Sequence, residues 1–216
     1  MKLPEFENMK YYNFAEEANA KLQKDALNEV SQKLGKTYDL YIDGKWEKGT
    51  GTFNSTNPGN KTEIVGVFGK ASKEQATRAI EAANKAFQTW QFVPYKTRSE
   101  ILLKAAAIMK KRRLEINAWM IKEIGKSYIE ADADTCEAID FLEWNARENL
   151  RYNEPQVLVK NPGEICEQVY IPIGVVSVIP PWNFPMAILM GMTCASLVTG
   201  NTVVLKPASD TPMMGK

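Results

Sequence analysis

Apolar residues recur every three or four positions near the start of the chain, which is the spacing of an amphipathic helix. Over residues 14–34 the outer positions are charged, and the inner positions are Leu27, Val30 and Leu34. Asn13 and Glu16 have the spacing of a capping box, and Gly35 is a stop signal. The pattern predicts one helix that forms an amino-terminal extension over residues 1–36.

Residues 37–70 contain the short apolar runs and turn residues of a small β region. An Asp-Gly pair inside the apolar-aromatic run 38–46 supplies the positive-φ residues that a tight hairpin needs. A second turn is predicted at the Asn-Pro-Gly-Asn stretch 57–60, followed by a short strand over 64–68. We therefore expect a β-hairpin and strand region before the pattern changes to helices.

Two helices are predicted next, each with a capping pair at its start. Ser72 with Gln75 begins the first, and Thr97 with Glu100 begins the second, which should end near Gly125. The first helix carries an apolar stripe at steps of three and four: Ala76, Ile80, Ala83, Phe87 and Trp90. The second carries another: Ile101, Leu102, Ala105, Ile108 and Met109. Both stripes are expected to be buried.

A basic run at residues 110–113 lies on the second of these helices and is expected to face solvent, with a phosphate-binding patch as the alternative interpretation. A third helix is predicted over 128–150. Its inward residues are Ala138, Phe141, Leu142 and Ala146. Beyond it, the apolar segments 156–159 and 165–171 flank an Asn-Pro-Gly turn at 161–163 and predict a β-hairpin.

The stretch 169–205 contains no charged residue, and as a single helix it would more than span a bilayer. Prolines interrupt it at positions 172, 180, 181 and 185, which argues against a membrane-inserted protein. A buried strand over 175–179, a helix over 185–198 and a second buried strand over 202–205 explain the pattern better. The three form a βαβ unit of a parallel sheet, and the Thr-Pro pair at 211–212 predicts the start of a further helix.

Composition narrows the classes of function. Lysine plus arginine (27) nearly equals aspartate plus glutamate (26), so no single-sign field favours nucleic acid or an acidic membrane surface. A small molecule or a second copy of the chain is the expected partner. The absence of histidine excludes a Ser-His-Asp hydrolase and a His-ligated zinc site, and we expect no metal. Cys136, Cys166 and Cys194 form no CxxC pair, and with no leader segment they predict a reducing, cytoplasmic location.

Ligands of an open parallel sheet bind at the carboxyl ends of its strands. Two unusual segments occupy that place: Pro-Pro-Trp-Asn-Phe-Pro at 180–185 and Lys-Pro-Ala-Ser-Asp-Thr-Pro at 206–212. On these motifs and their spacing the chain resembles the aldehyde dehydrogenase superfamily, over residues 38–216. The stretch 131–141 and the Ile-Pro-Pro-Trp-Asn-Phe sequence at 179–184 resemble its 1-pyrroline-5-carboxylate dehydrogenase branch.

The resemblance implies an α/β fold with a Rossmann-type parallel sheet, flanking helices and a small β-hairpin element used for oligomerisation. It implies NAD or NADP as cofactor, a homo-oligomer, and oxidation of L-glutamate 5-semialdehyde, formed from 1-pyrroline-5-carboxylate, to L-glutamate in proline and arginine catabolism. Another aldehyde or semialdehyde dehydrogenase, or a non-catalytic module that binds a dinucleotide or a partner, is the alternative.

Five regions are expected along the chain. They are an amino-terminal helical extension (1–36), a β-hairpin and strand region (37–70), the helical part of the cofactor-binding domain (71–152), an oligomerisation hairpin (153–172) and the truncated start of the Rossmann-type sheet (173–216). The catalytic domain is expected to be absent from this chain. The resemblance places the nucleophilic cysteine and the general-base glutamate beyond Lys216, so we expect the chain alone to be inactive and its three cysteines to be structural.

Asn183 is the candidate catalytic residue. The resemblance implies that its side-chain amide donates a hydrogen bond to the aldehyde oxygen as negative charge builds there; an Asx-turn that stabilises the loop is the alternative. Phe184 is expected to face the substrate. Glu137, on the third predicted helix, is expected to contact the amino group of the substrate, with a surface carboxylate as the alternative.

The expected cofactor-binding residues are Ile179, Pro180, Pro181, Trp182, Lys206, Ala208 and Ser209. Core packing is the alternative for Trp182, and a lysine that merely extends out of the end of the sheet is the alternative for Lys206. Family members that prefer NAD carry an acid three residues after this lysine, which repels a 2′-phosphate. This chain has Ser209 there and an acid only at Asp210, so relaxed NAD/NADP selectivity is expected.

Overall fold

A computed structural model describes residues 3–156 and 158–216 of the chain. Its strands are β1 (Lys36–Tyr38), β2 (Leu40–Ile42), β3 (Lys45–Glu47), β4 (Gly51–Asn57), β5 (Asn60–Lys70), β6 (Val175–Val178) and β7 (Thr202–Leu205). Its helices are α1 (Glu17–Ser31), α2 (Lys73–Trp90), α3 (Tyr95–Lys111), α4 (Arg113–Ile124), α5 (Tyr128–Asn153) and α6 (Ala187–Val198), followed by a short 3-10 helix (Pro212–Gly215).

The β region before the helices consists of a hairpin and a three-stranded sheet. Strands β2 and β3 pair antiparallel, and the connecting residues Asp43 and Gly44 have φ angles of 50° and 75°, which confirms the predicted Asp-Gly turn. The larger sheet has the order β1-β5-β4, with β1 parallel and β4 antiparallel to β5. Strand β5 is longer than predicted because β4, which the pattern did not reveal, pairs with nearly its whole length.

Capping chemistry fixes the starts of the two helices whose caps the side chains supply. Ser72 and Gln75 form the predicted capping box at α2, and Ser127 with Glu130 forms another at α5. At α1 the predicted helix forms but its predicted cap does not: the Asn13 side chain accepts a hydrogen bond from the backbone N–H of Ala15 (3.2 Å), and the helix begins later, at Glu17. A local turn competes there with helix formation.

The predicted apolar stripes of α2 and α3 are only partly buried. Ala83 and Leu102 are buried, whereas Ile80 on α2 and Ile101 and Ile108 on α3 are exposed. Helix α2 packs against β6 and β7 on one side, and α3 packs against α5 and α6. Each apolar stripe covers more of its helix surface than these neighbouring elements do. In the part of the chain that the structure describes, the outer residues of the stripes are therefore exposed to solvent.

The predicted helix 97–125 is in fact two helices. The chain leaves helical geometry at Arg112, where φ is −99° and ψ is 9°, and α4 begins immediately afterwards. The break separates Arg113 from the rest of the basic run 110–113, and Arg113 is buried instead of facing solvent as predicted. Its guanidinium Nε donates to Oδ1 of the buried Asp132 on α5 (2.6 Å) and an Nη1–H donates to the carbonyl of Lys10 (3.0 Å). Helical periodicity cannot reveal this distant acceptor.

The segment predicted as a hairpin over 156–171 contains no strand among its described residues; position 157 lies outside them. The predicted turn at 161–163 does form, with the backbone N–H of Glu164 bonded to the carbonyl of Asn161 (3.2 Å). The apolar side chains beyond it lie in solvent, and Ile165 is 94% exposed. A two-stranded ribbon is marginal without a surface to cover its apolar face, and the described part of the chain supplies none. Its use in oligomerisation stays a prediction.

The predicted βαβ unit is confirmed. Strands β6 and β7 pair in parallel with Val175 opposite Thr202, and α6 connects them. The Thr202 hydroxyl donates to the carbonyl of Ala83 on α2 (2.9 Å), which ties the small sheet to that helix. Helix α6 packs on α5 through a core that includes Ile139 and Cys194. No helix of the described residues is long and apolar enough to cross a membrane.

Candidate active site

Two loops leave the same edge of the parallel sheet, as the βαβ unit requires. The first, residues 179–186, follows β6, and the second, residues 206–211, follows β7. The backbone N–H of Lys206 donates to the carbonyl of Val178 (2.9 Å), so the two loops diverge from one hydrogen-bonded point. Side chains from both can therefore reach a ligand lying along this edge.

Buried prolines hold the first loop while its other side chains face solvent. Pro180 and Pro185 are buried, and the residues between them are exposed. Asn183 makes no side-chain hydrogen bond to any residue that the structure describes, so the Asx-turn alternative is not formed there. Its amide N–H groups are therefore available to a ligand.

Trp182 and Ile179 form the apolar part of this edge. Trp182 is 55% exposed and Ile179 is also exposed, so the core-packing alternative for the tryptophan does not hold in this chain. Of the two proline cofactor candidates between them, Pro180 is buried and only Pro181 joins this exposed surface. Together they offer an apolar surface of the kind that a nucleotide ring or sugar can cover.

The second loop presents one ammonium group and one hydroxyl. Lys206 is exposed, and its Nζ donates to the carbonyl of the neighbouring Pro207 (2.9 Å). Ser209 is exposed and Ala208 is half-buried. The 3-10 helix packs tightly on this loop: a Cβ added at Gly215 would lie 2.6 Å from Cγ of Pro207, so only glycine fits. The exposed ammonium is therefore available to hydroxyl or phosphate oxygens of a ligand.

The two substrate candidates, Phe184 and Glu137, lie on different elements of the fold. Phe184 is partly exposed, and its ring lies 4.4 Å from the Lys126 ammonium. Glu137 is exposed on α5 and makes no hydrogen bond or ion pair to the described residues. Helix α5 packs on α6, which begins directly after the Asn183 loop. The structure therefore places Glu137 on a neighbouring element without a polar contact that would confirm its role.

Sequence reasoning missed a buried carboxylate behind the first loop. Asp134 on α5 is buried, and its Oδ1 accepts from the backbone N–H of Ala187 (2.6 Å), while its Oδ2 accepts from Lys126 Nζ (2.7 Å). Burial raises the pKa of Asp134, and the hydrogen bonds from Lys126 and Ala187 oppose that rise. An aspartate among the apolar positions of a helix was the available signal.

A second buried carboxylate lies behind the other loop. Glu123 on α4 is 3% exposed, and its Oε1 accepts from the Ser55 hydroxyl and from the backbone N–H of Met213 (both 2.9 Å). Its Oε2 has no hydrogen-bond partner among the described residues. Burial raises the pKa of Glu123 to about 8. This side chain fixes the 3-10 helix, and with it the end of the Lys206 loop, to α4 and β4.

The raised pKa of Glu123 predicts a pH-dependent stability. Between its ordinary pKa of 4.5 and the folded value of about 8, the folded state holds the proton more tightly, so the free energy of unfolding falls as pH rises. One such group contributes at most about 1.4 kcal/mol per pH unit. We expect Glu123→Gln, which stays neutral and keeps an acceptor, to remove this part of the fall when the melting temperature of the full-length protein is followed from about pH 5 to pH 8.

Glu115→Gln is the matched control on the same helix. Hydrogen bonds and the positive charges of Arg112 and Lys33 lower the pKa of Glu115, so its own contribution changes only in acid. It should leave the decrease between about pH 5 and pH 8 as it is in the unsubstituted protein. An equal decrease in the Glu123→Gln variant would show that Glu123 does not bind the proton in the folded state.

Two of the three thiols are unsuited to act as nucleophiles. Burial raises the pKa of Cys136 to about 12 and the pKa of Cys194 to about 11, so both stay protonated at neutral pH. This agrees with the structural role expected of them. Cys166 is exposed in the segment that forms no strand, so burial gives no support for a structural role there. No cluster of metal-ligating side chains occurs among the described residues.

Comparison with known proteins connects this geometry to one family. A model described as the aldehyde dehydrogenase family matches residues 46–216. The 1-pyrroline-5-carboxylate dehydrogenase of Geobacillus kaustophilus is 48% identical over 202 residues, which are 94% of this chain and 39% of that protein. The 1-pyrroline-5-carboxylate dehydrogenase 1 of Halalkalibacterium halodurans is 45% identical over 212 residues, 98% of this chain and 41% of that protein.

A solved structure agrees with these sequences. The 1-pyrroline-5-carboxylate dehydrogenase from Thermus with bound NAD superposes with a TM-score of 0.95 and 44% identity, over all of this chain and 42% of that one. The α/β architecture expected from the sequence is therefore confirmed. The chain spans about two fifths of the length of the relatives it matches.

Proposed function

Since the chain belongs to the aldehyde dehydrogenase family, we propose that the whole protein oxidises L-glutamate 5-semialdehyde, formed from 1-pyrroline-5-carboxylate, to L-glutamate with NAD or NADP. The observation that carries the proposal is the shared edge of the parallel sheet, where the loops that contain Asn183 and Lys206 leave adjacent strand ends. The two relatives described above match this chain over more than nine tenths of its length, and both are named for 1-pyrroline-5-carboxylate.

The candidate residues have distinct proposed roles in the reaction. The dinucleotide, when bound, accepts the hydride that leaves the aldehyde carbon. Lys206 and the Ser209 hydroxyl would hold its ribose, and Trp182 with the neighbouring backbone would line its cleft. Asn183 would donate to the aldehyde oxygen, and its side chain has no hydrogen bond to the described residues that must break first. Phe184 would pack against the aliphatic part of the substrate, and Glu137 would pair with its amino group.

The nucleophile and the general base are proposed to lie outside residues 1–216. Family chemistry needs a thiolate to attack the aldehyde carbon; the buried thiols of Cys136 and Cys194 stay protonated, and the exposed Cys166 belongs to neither loop of the candidate site. We therefore expect the chain by itself to show no dehydrogenase activity. We also propose that the whole protein is a homo-oligomer, because the exposed apolar side chains of 158–173 would be covered by another copy. Its proposed location is the cytoplasm.

The test is a steady-state assay of the full-length protein with 1-pyrroline-5-carboxylate, followed through the absorbance of the reduced cofactor. We expect turnover with this substrate at a higher kcat/KM than with simple aliphatic aldehydes, because the α-ammonium and α-carboxylate at the end opposite its aldehyde can be recognised. If the protein turns over simple aldehydes and not this one, it is another member of the family. If no aldehyde is oxidised, the proposed function is wrong.

The serine after the lysine predicts how the two cofactors are used. Ser209 is exposed and uncharged, so it does not repel the 2′-phosphate of NADP, and kcat/KM should be comparable for both cofactors. Ser209→Glu should lower kcat/KM for NADP roughly tenfold or more and leave that for NAD nearly unchanged, since a tenfold change corresponds to only ~1.4 kcal/mol. Asp210→Asn is the control and should not change the ratio. A strong NAD preference of the unsubstituted enzyme would contradict the prediction.

A further inference from the structure

The amino terminus of α6 is held by a side chain from another helix. The residue before the helix, Met186, provides no side-chain cap. Instead, Oδ1 of Asp134 on α5 accepts a hydrogen bond from the backbone N–H of Ala187, the first residue of α6, at 2.6 Å. A carboxylate there satisfies a free backbone donor and opposes the positive end of the helix dipole. The helix that follows the Asn183 loop is thus fixed in place by α5.

The same carboxylate is connected to the loop by a second route. Its Oδ2 accepts from Lys126 Nζ at 2.7 Å, and that ammonium lies 4.4 Å from the centroid of the Phe184 ring. Asp134 is fully buried and Lys126 is largely buried, so water screens neither contact strongly. An ammonium held over an aromatic face by a buried partner restricts the orientation of that ring.

The position of the Asn183 side chain depends on the contacts of its neighbours in the loop. Its side chain makes no hydrogen bond to the described residues, and the residue that follows it is the Phe184 that Lys126 contacts. On the carboxyl side, the loop is fixed at Phe184 through Lys126 and at Ala187 through Asp134. One buried carboxylate thus fixes both points.

We propose that Asp134, acting with Lys126, is a positioning residue that sets the direction of the Asn183 amide toward the aldehyde oxygen. The inference rests on the proposed function, because only a reaction that builds negative charge on that oxygen needs the amide so placed. Neither side chain touches the substrate. Each acts through the backbone and ring of the loop.

Substitution in the full-length enzyme tests the role. Asp134→Asn should lower kcat roughly tenfold while the KM values for aldehyde and cofactor change less than twofold, because only a contact made in the transition state is weakened. Lys126→Met should lower kcat in the same way, and it serves as the second variant if Asp134→Asn does not fold. Asp140→Asn is the matched control: this carboxylate on α5 binds the backbone N–H of Met9 (2.9 Å), far along the chain from the loop, and kcat should stay within twofold.

A double-mutant cycle separates positioning from general stability. If Asp134 acts through Asn183, adding Asp134→Asn to an Asn183→Ala enzyme should change kcat less than twofold further. A merely structural role would give the same tenfold loss in both backgrounds, and that result would overturn the proposal. Full activity of both Asp134→Asn and Lys126→Met would overturn it as well.

Amide hydrogen exchange gives a readout that does not depend on turnover. The N–H of Ala187 should exchange faster in Asp134→Asn than in the unsubstituted enzyme, because a charged acceptor has become a neutral one. If the Ala187 N–H exchanges at the same rate in both enzymes, Asp134 does not hold this amide, and the inference is contradicted while the proposed function stands. An unsubstituted enzyme that oxidises no aldehyde would instead sink the proposed function.

Discussion

Replacing Asn183 by alanine in the full-length protein should lower kcat for aldehyde oxidation roughly 100- to 1000-fold, the usual cost of removing one oxyanion donor. The side chain is exposed at the end of β6 and bonded to none of the described residues, so its amide is free to meet the developing charge. Its loss removes no side-chain hydrogen bond among the described residues. Stability should therefore change little, and the melting temperature should stay close to that of the unsubstituted protein.

The distribution of the loss between kcat and KM is the informative part of the Asn183 measurement. A donor that acts only in the transition state lowers kcat and kcat/KM equally, so KM for the aldehyde should be nearly unchanged. Asn84→Ala, at an exposed asparagine of α2, is the control and should retain full activity. A loss of less than tenfold for Asn183→Ala would mean that the aldehyde oxygen is stabilised elsewhere.

Replacing Lys206 by alanine should raise KM for the cofactor roughly 10- to 100-fold. A hydrogen bond from a charged donor contributes about 1.5–3 kcal/mol, which is that range when expressed as an affinity. The ammonium bonds only to the carbonyl of the adjacent Pro207 among the described residues, so the substitution leaves no buried group unpaired. With saturating cofactor, kcat should fall far less than in the Asn183→Ala enzyme.

Lys85→Ala is the control for the lysine prediction. Lys85 is exposed on α2, away from both loops, so its loss should leave cofactor KM unchanged. If Lys206→Ala also leaves the cofactor KM unchanged, its ammonium simply extends into solvent from the end of the sheet, and the cofactor lies elsewhere.

Local patterns predicted most of the fold because they concern neighbours in sequence. The Asp43–Gly44 turn, the capping box of Ser72 and Gln75, and the parallel pairing of β6 with β7 were all confirmed. Each is decided by a few residues whose conformational needs are strong, such as a positive φ or an unpaired helix donor. The shared strand edge that defines the candidate site followed directly from the βαβ pattern.

Failures arose where the deciding partner lies far along the chain. Arg113 was predicted to face solvent as part of a basic run, but it is buried because Asp132 and the carbonyl of Lys10 accept its hydrogen bonds. Asp134 and Glu123 were missed for the same reason, since their partners Ala187 and Met213 belong to elements beyond the reach of helical periodicity.

In the segment 156–171 the sequence predicted strands that do not form among the described residues. Its two apolar segments on either side of a turn favour strands, but a strand also needs a partner edge and a surface on which to pack its apolar face. The described residues supply neither, and Ile165 and Ile171 stay in solvent. Periodicity records what a segment can form, whereas tertiary contacts decide what it does form.

A crystal structure of the full-length protein with bound NAD would test most directly whether the two loops share one ligand cleft. We predict density for a ribose within hydrogen-bond distance of Lys206 Nζ, with the nicotinamide end of the cofactor reaching toward the Asn183 amide. Cofactor density on another edge or face of the sheet, with both side chains still in solvent, would contradict the proposed site.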